Sequence, residues 1–192
     1  MKPSECVAIL KKLKRAYPRQ NVTSATIELY AEMLVDLDRD DVRRAVGCLV
    51  AMSKWFPTVA EIREAVAGAA VDGLPDAGVA WGEVRKAVSR FGSYRVPEFS
   101  CPEVASAVEV VGWATICLDE NVMSTRARFV DAYRAIRERV KRGEQLGEFA
   151  PAALREETRA RRHVRLADAS ALKRLETQPE PTGSPTTKGP TQ

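Results

Sequence analysis

The acids of "DLDRDD" are the first residues whose spacing could do chemistry, because Asp36, Asp38 and Asp40 stand where the first, third and fifth ligands of a calcium loop would stand. The same register puts Asp41 where that loop requires glycine and Gly47 where it requires glutamate, so helix capping explains these acids better. Cys6, Cys48, Cys101 and Cys117 are widely spaced and form no CxxC pair, which points to buried free thiols on apolar helical positions and not to disulfides or zinc. His163 is the one histidine; it has no neighbouring nucleophile or orienting carboxylate, and its arginine neighbours disfavour its protonation. No GxxxxGK[ST] loop is present to cradle a nucleotide. These patterns predict a protein without a catalytic centre, metal or cofactor. What remains with chemical potential is a run of arginines, Arg155, Arg159, Arg161, Arg162 and Arg165, which could attract phosphate or an acidic protein surface.

Residues 151–176 carry seven Lys+Arg against four Asp+Glu, whereas residues 1–70 carry eleven against nine, so the basic excess is local and not the broad field of a DNA-coating protein. "MKPSECVAILKKLKRAYP" contains no apolar stretch of signal-peptide length and no run approaches a membrane span, which predicts a cytoplasmic protein that does not engage membranes. The first 70 residues repeat at helical spacing throughout: Cys6, Ile9, Leu10, Leu13 and Tyr17; Ile27, Tyr30, Leu34 and Leu37; Val42, Ala45, Val46, Leu49 and Met52; Val59, Ile62, Val66 and Ala69. Four short helices are predicted, with Thr23 capping the second, acids around Asp38 opening the third, and Pro57-Thr58 opening the fourth.

At "KWFPTVAEIREAV", Thr58 and Glu61 have the spacing of a capping box, and Pro57 forces Phe56 into an extended conformation that ends the third helix. Phe56 is then positioned to staple against Ile62. The corner reads chiefly as core, with Trp55 and Phe56 also candidates for a partner contact.

The ordered set Tyr17-Pro18, Thr23, Tyr30, Leu34, Asp36-Leu37, Val42, Ala45 and Phe56-Pro57-Thr58 with Glu61-Ile62, all within residues 16–66, resembles the N-terminal domain of the replicative helicase loader/inhibitor proteins of phages that infect Gram-positive bacteria. The resemblance implies a small helical adaptor that delivers the hexameric replicative DNA helicase to an origin-binding replisome protein while restraining its ATPase, with the helicase contact toward the C-terminal side of the domain. It gives no residue-level instruction beyond residue 66.

There the chain continues with a second helical unit at 75–147. Trp81, Val84, Val88 and Phe91 share one helical face, Val104, Ala107, Val108 and Val111 another, and Phe129, Tyr133, Ile136 and Val140 a third. "GSYRVPEFSCP" joins the first two of these helices and is longer than most bundle connections, which makes it a candidate functional surface. A basic helical segment at 151–176 and a disordered tail at 177–192 complete the predicted all-α architecture. The expected function is a non-enzymatic adaptor of phage DNA replication, its arginine-rich segment and tail engaging the helicase, with any DNA contact a weak one through the same basic segment. The rival readings are a helix-turn-helix DNA-binding protein, with Glu61 and Glu64 flanking a single Arg63 on the recognition helix, and a phage assembly factor.

Overall fold

The spacing of Cys6, Leu10 and Leu13 lines three fully buried side chains along the first helix, α1 (Pro3–Ala16). In the computed structural model, which describes residues 1–162, α2 (Ser24–Leu34), α3 (Arg39–Met52) and α4 (Val59–Asp72) follow, then α5 (Ala77–Phe91), α6 (Pro102–Val111), α7 (Trp113–Leu118) and α8 (Val122–Leu146). A 3-10 turn at Gly147–Phe149 leads into a further helix, α9, over 152–162. Among the described residues there is no strand, and the all-α prediction holds.

The helix starts lie where the sequence places them. The Thr23 hydroxyl accepts from the Thr26 amide at 3.1 Å, and the Asp38 carboxylate accepts from the amides of Asp40 and Asp41 at 2.8 and 3.3 Å. Thr58 and Glu61 complete their capping box: the Glu61 amide donates to the Thr58 hydroxyl at 3.2 Å and the Thr58 amide to the Glu61 carboxylate at 2.7 Å. The Thr58 amide, and after it the Thr58 hydroxyl donating at 2.8 Å, hold the Glu61 carboxyl below its ordinary value.

Helices α1 to α4 bury a first core that includes Leu10, Leu13, Leu34, Leu37, Val42 and Ile62. A second core lies among α5 to α8, where Phe129 packs tilted against Trp81 at 5.4 Å and stacked on Tyr133 at 5.9 Å. The Tyr133 hydroxyl donates to the Pro75 carbonyl at 2.7 Å, and burial pushes its pKa up to about 12. Helix α4 belongs to both halves: Ile62 and Val66 lie in the first core, while Val71 packs with Leu74 and Val140 of α8.

Arg63 fastens that joint. Its side chain is buried, and each of its five N–H donors has an acceptor. Nη1 and Nη2 grip the Asp36 carboxylate at 2.9 and 2.7 Å, Nη1 also reaches the Met33 carbonyl at 2.6 Å, and Nε and Nη2 donate to the Gln145 and Leu146 carbonyls at 2.7 and 3.0 Å. One side chain of α4 thus caps the C-terminus of α8, whose last carbonyls lack helical partners. The Phe149 ring lies 5.2 Å from the guanidinium. Gly147 sits at φ +53, and a Cβ there would collide with Asp36 and Arg63, so only glycine lets α8 end against this pair.

Several features differ from the sequence reading, among them Met52 of the third apolar stripe and Trp55 of the corner read chiefly as core, both of which are exposed. The run "PEVASAVEVVGWATICL", read as one helix, is two, because Gly112 at φ +93 breaks it into α6 and α7. The thiols are all free, as expected, but only Cys6 is buried; Cys48 is exposed and Cys101 and Cys117 are half-buried. Of the expected basic segment at 151–176, residues 152–162 are helical, while 163–176, His163 and the tail at 177–192 lie outside the described residues.

Candidate partner-binding site

The corner between α3 and α4 is built from the backbone outward. At the end of α3 the chain turns extended at Ser53 (φ −103, ψ 137), whose hydroxyl donates to the Trp55 carbonyl at 2.8 Å and accepts from the Trp55 amide at 3.2 Å. The loop after α1 holds this segment from the other side. The Tyr17 hydroxyl donates to the Ser53 carbonyl at 3.2 Å, the Gln20 amide group donates to the Lys54 carbonyl at 3.4 Å, and the Gln20 side-chain carbonyl accepts from the Phe56 amide at 2.8 Å.

Phe56 and Trp55 then take opposite roles. The Phe56 ring packs inward between Tyr17 and Tyr30, with centroids 5.9 and 5.7 Å away, in the same cluster as Ile62. Trp55 faces out and is 73% exposed, and Met52 at the end of α3 is 85% exposed. These hydrogen bonds fix the backbone that carries the indole, which lowers the entropy cost of docking on it. Trp55 is therefore the part of the corner open to a partner, and Phe56 is the part that holds the corner in place.

The arginine-rich stretch is divided. Arg162 donates from Nε and Nη2 to one oxygen of the buried Glu144 at 3.0 and 2.6 Å. Arg161 lies 3.8 Å from the buried Glu103, and Arg155 lies 3.6 Å from Glu148. Glu157 of the same helix takes Arg139 of α8 at 2.6 Å, and its carboxyl is held low chiefly by the Arg139 hydrogen bonds. The Arg162 and Glu157 pairs dock α9 on α8, the Arg161 pair ties it to α6 and the Arg155 pair to the 3-10 turn, and Gly143 of α8 leaves no room for a Cβ beside Thr158. Arg159 is exposed and has no ion pair among the described residues. Arg165 lies outside them. Replacing Arg162 by Ala is expected to lower stability by about 1–2 kcal/mol in a denaturant titration, less than for a fully buried pair because the arginine side chain is 41% exposed; Arg159→Ala is expected to leave the midpoint unchanged.

The helix-turn-helix reading has lost its cation. Arg63 is the one basic residue of α4 and is buried in the Asp36 pair, while Glu61 and Glu64 remain at the surface and Glu64 pairs with Lys141 at 3.2 Å. Asp36 and Asp38, the first two acids of the calcium-like run, are engaged by Arg63 and by the α3 amides. The Asp36 carboxyl is pushed up by burial and pulled down further by Arg63 and the Glu148 amide, so its pKa lies below the ordinary carboxylate value.

Sequence reasoning did not assign Arg63 its role. The available signal was its position beside Ile62 and three residues before Val66, on the apolar side of α4, where an arginine needs acceptors. No curated protein and no solved structure matches the chain. Residues 1–63, which run from α1 into the start of α4 and hold the Tyr17, Gln20 and Trp55 corner, match the family model of the N-terminal domain of a phage helicase inhibitor/loader, in support of the resemblance carried by residues 16–66.

Proposed function

We propose that the chain is a non-enzymatic adaptor of phage or prophage DNA replication that binds the host's hexameric replicative helicase, presents it to an origin-bound partner or restrains its ATPase, and works in the host cytoplasm. The family match over residues 1–63 supports the partner class. The observation that carries the geometry is the outward Trp55 on a corner whose backbone is pinned by Tyr17, Ser53 and Gln20, since an exposed tryptophan on a fixed backbone has the chemistry of an interface anchor. In this reading Trp55 and Met52 enter an apolar recess on the helicase. Arg159 supplies a peripheral charge, whereas Arg155, Arg161 and Arg162 serve chiefly to fix α9 on the 3-10 turn, α6 and α8 respectively. This revises the expectation that the whole arginine cluster faces the helicase.

The test is the affinity of the full chain for a purified bacterial replicative helicase, measured by biolayer interferometry. Trp55→Ala is expected to weaken it by about 30-fold, the scale of a hot spot of about 2 kcal/mol, with the melting temperature unchanged. Phe56→Ala is expected instead to lower the melting temperature. Unchanged affinity in Trp55→Ala would sink the assignment of the corner.

A further inference from the structure

Among the described cations that have no ion pair, one group lies on α5 and the connection that follows it. Arg85, Lys86 and Arg90 line an open depression of about 440 Å³ together with Ser89, and Arg95 follows four residues into the connection. None of these four cations has an ion pair among the described residues, in contrast to Arg155, Arg161 and Arg162. Between residues 85 and 98 the one acid is Glu98, and Glu83 in the preceding turn is occupied by the Ser100 amide and hydroxyl, both at 2.6 Å. Uncompensated cations at this density produce a local potential that attracts a polyanion.

Four residues beyond Arg90 and next to Arg95 in the chain is an exposed ring. Tyr94 is 99% exposed, two residues beyond Gly92, which ends α5 at φ +57. The connection is fastened on both sides of it, by the Cys117 thiol on the Gly92 carbonyl at 3.4 Å and by the Glu83 bonds to Ser100. The guanidinium of Arg90 lies 5.2 Å from the centroid of the Phe91 ring, so flat groups are already gathered at this end of α5.

We propose that α5 and the 92–101 connection bind single-stranded DNA, with Arg85, Lys86, Arg90 and Arg95 on successive phosphates and a base stacked on Tyr94. A duplex satisfies the cations equally well but keeps its bases stacked on each other, so the exposed tyrosine favours the unpaired strand. The proposal does not depend on the helicase reading. If both hold, the adaptor carries a strand-binding face apart from its helicase-binding corner.

The experiment is fluorescence anisotropy of a labelled oligothymidine with the full chain across a salt series, beside a duplex and an acidic polyglutamate. Four phosphate contacts are expected to give a log–log salt slope of about −3 for the single strand, and the double change Lys86→Glu with Arg90→Glu is expected to flatten it by about half. Tyr94→Ala is expected to weaken single-strand binding about tenfold without altering the slope or the duplex affinity, and Tyr94→Phe to restore it. Arg159→Glu is expected to leave all of these unchanged. The proposal is overturned by an oligonucleotide that fails to bind at low salt, by a slope that the Lys86/Arg90 change does not move, or by a Tyr94→Ala variant that binds like the parent. Polyglutamate bound as tightly as the oligonucleotide would transfer the surface to an acidic protein partner.

Discussion

Arg63→Ala is expected to lower the unfolding free energy by about 3–5 kcal/mol, the cost of leaving a buried carboxylate without its counter-charge. Asp36 would keep the Glu148 amide at 3.3 Å and its own amide, and the carbonyls of Met33, Gln145 and Leu146 would each lose the guanidinium. In a chain of this size that corresponds to a fall in melting temperature on the order of 10 °C. The pair also sets an acid limb. Because the folded-state pKa of Asp36 lies below its ordinary value of 3.8, its contribution is fully present above that value and is lost as pH falls through the folded-state pKa. Thermal unfolding from neutral to strongly acidic pH is expected to show this loss in the parent, and a smaller loss in Arg63→Ala, where burial still disfavours the charged carboxylate and the guanidinium no longer offsets it.

Phe129→Ala is the second large effect, expected at about 3–5 kcal/mol because a fully buried ring is replaced by a cavity between Trp81 and Tyr133. Phe129 and Arg63 lie in different halves of the fold, but α4 and α8 tie those halves together through Val71, Leu74 and Val140 and through the Arg63 bonds to the end of α8. Both variants are therefore expected to shift one cooperative transition in calorimetry. Two separate transitions in the parent would contradict the joint described here and would restore independent units at 1–70 and 75–147.

Much of this architecture was legible because the signals are local. Thr23, Asp38 and Thr58 cap helices through groups within three residues of themselves, and the apolar stripes of α1 to α4 need only a period to be seen. The break at Gly112 was hidden because glycine and tryptophan continue an apolar run, and only the backbone angle reveals the turn. The opposite fates of Trp55 and Phe56 were half-visible: Pro57 implies an extended segment, and neighbouring side chains of an extended segment point to opposite sides. The pairing of the arginines was not legible because their partners are distant in sequence. Glu144 is 18 residues from Arg162 and Glu103 is 58 from Arg161, so a run that looks like a free basic face is largely neutralised by tertiary pairing. Arg63 and Asp36 are likewise 27 residues apart, and nothing in either neighbourhood names the other.

Photo-crosslinking would show whether the α3–α4 corner touches the replicative helicase. With p-benzoylphenylalanine at position 55 in one sample and at position 159 in another, the full chain would be irradiated in the presence of the purified hexamer and the adducts mapped by mass spectrometry. The expected result is a strong helicase adduct from position 55 that excess parent chain competes away, with a weaker one from position 159. A hexamer that is captured but crosslinks only from position 159, or that crosslinks from neither, would contradict the account.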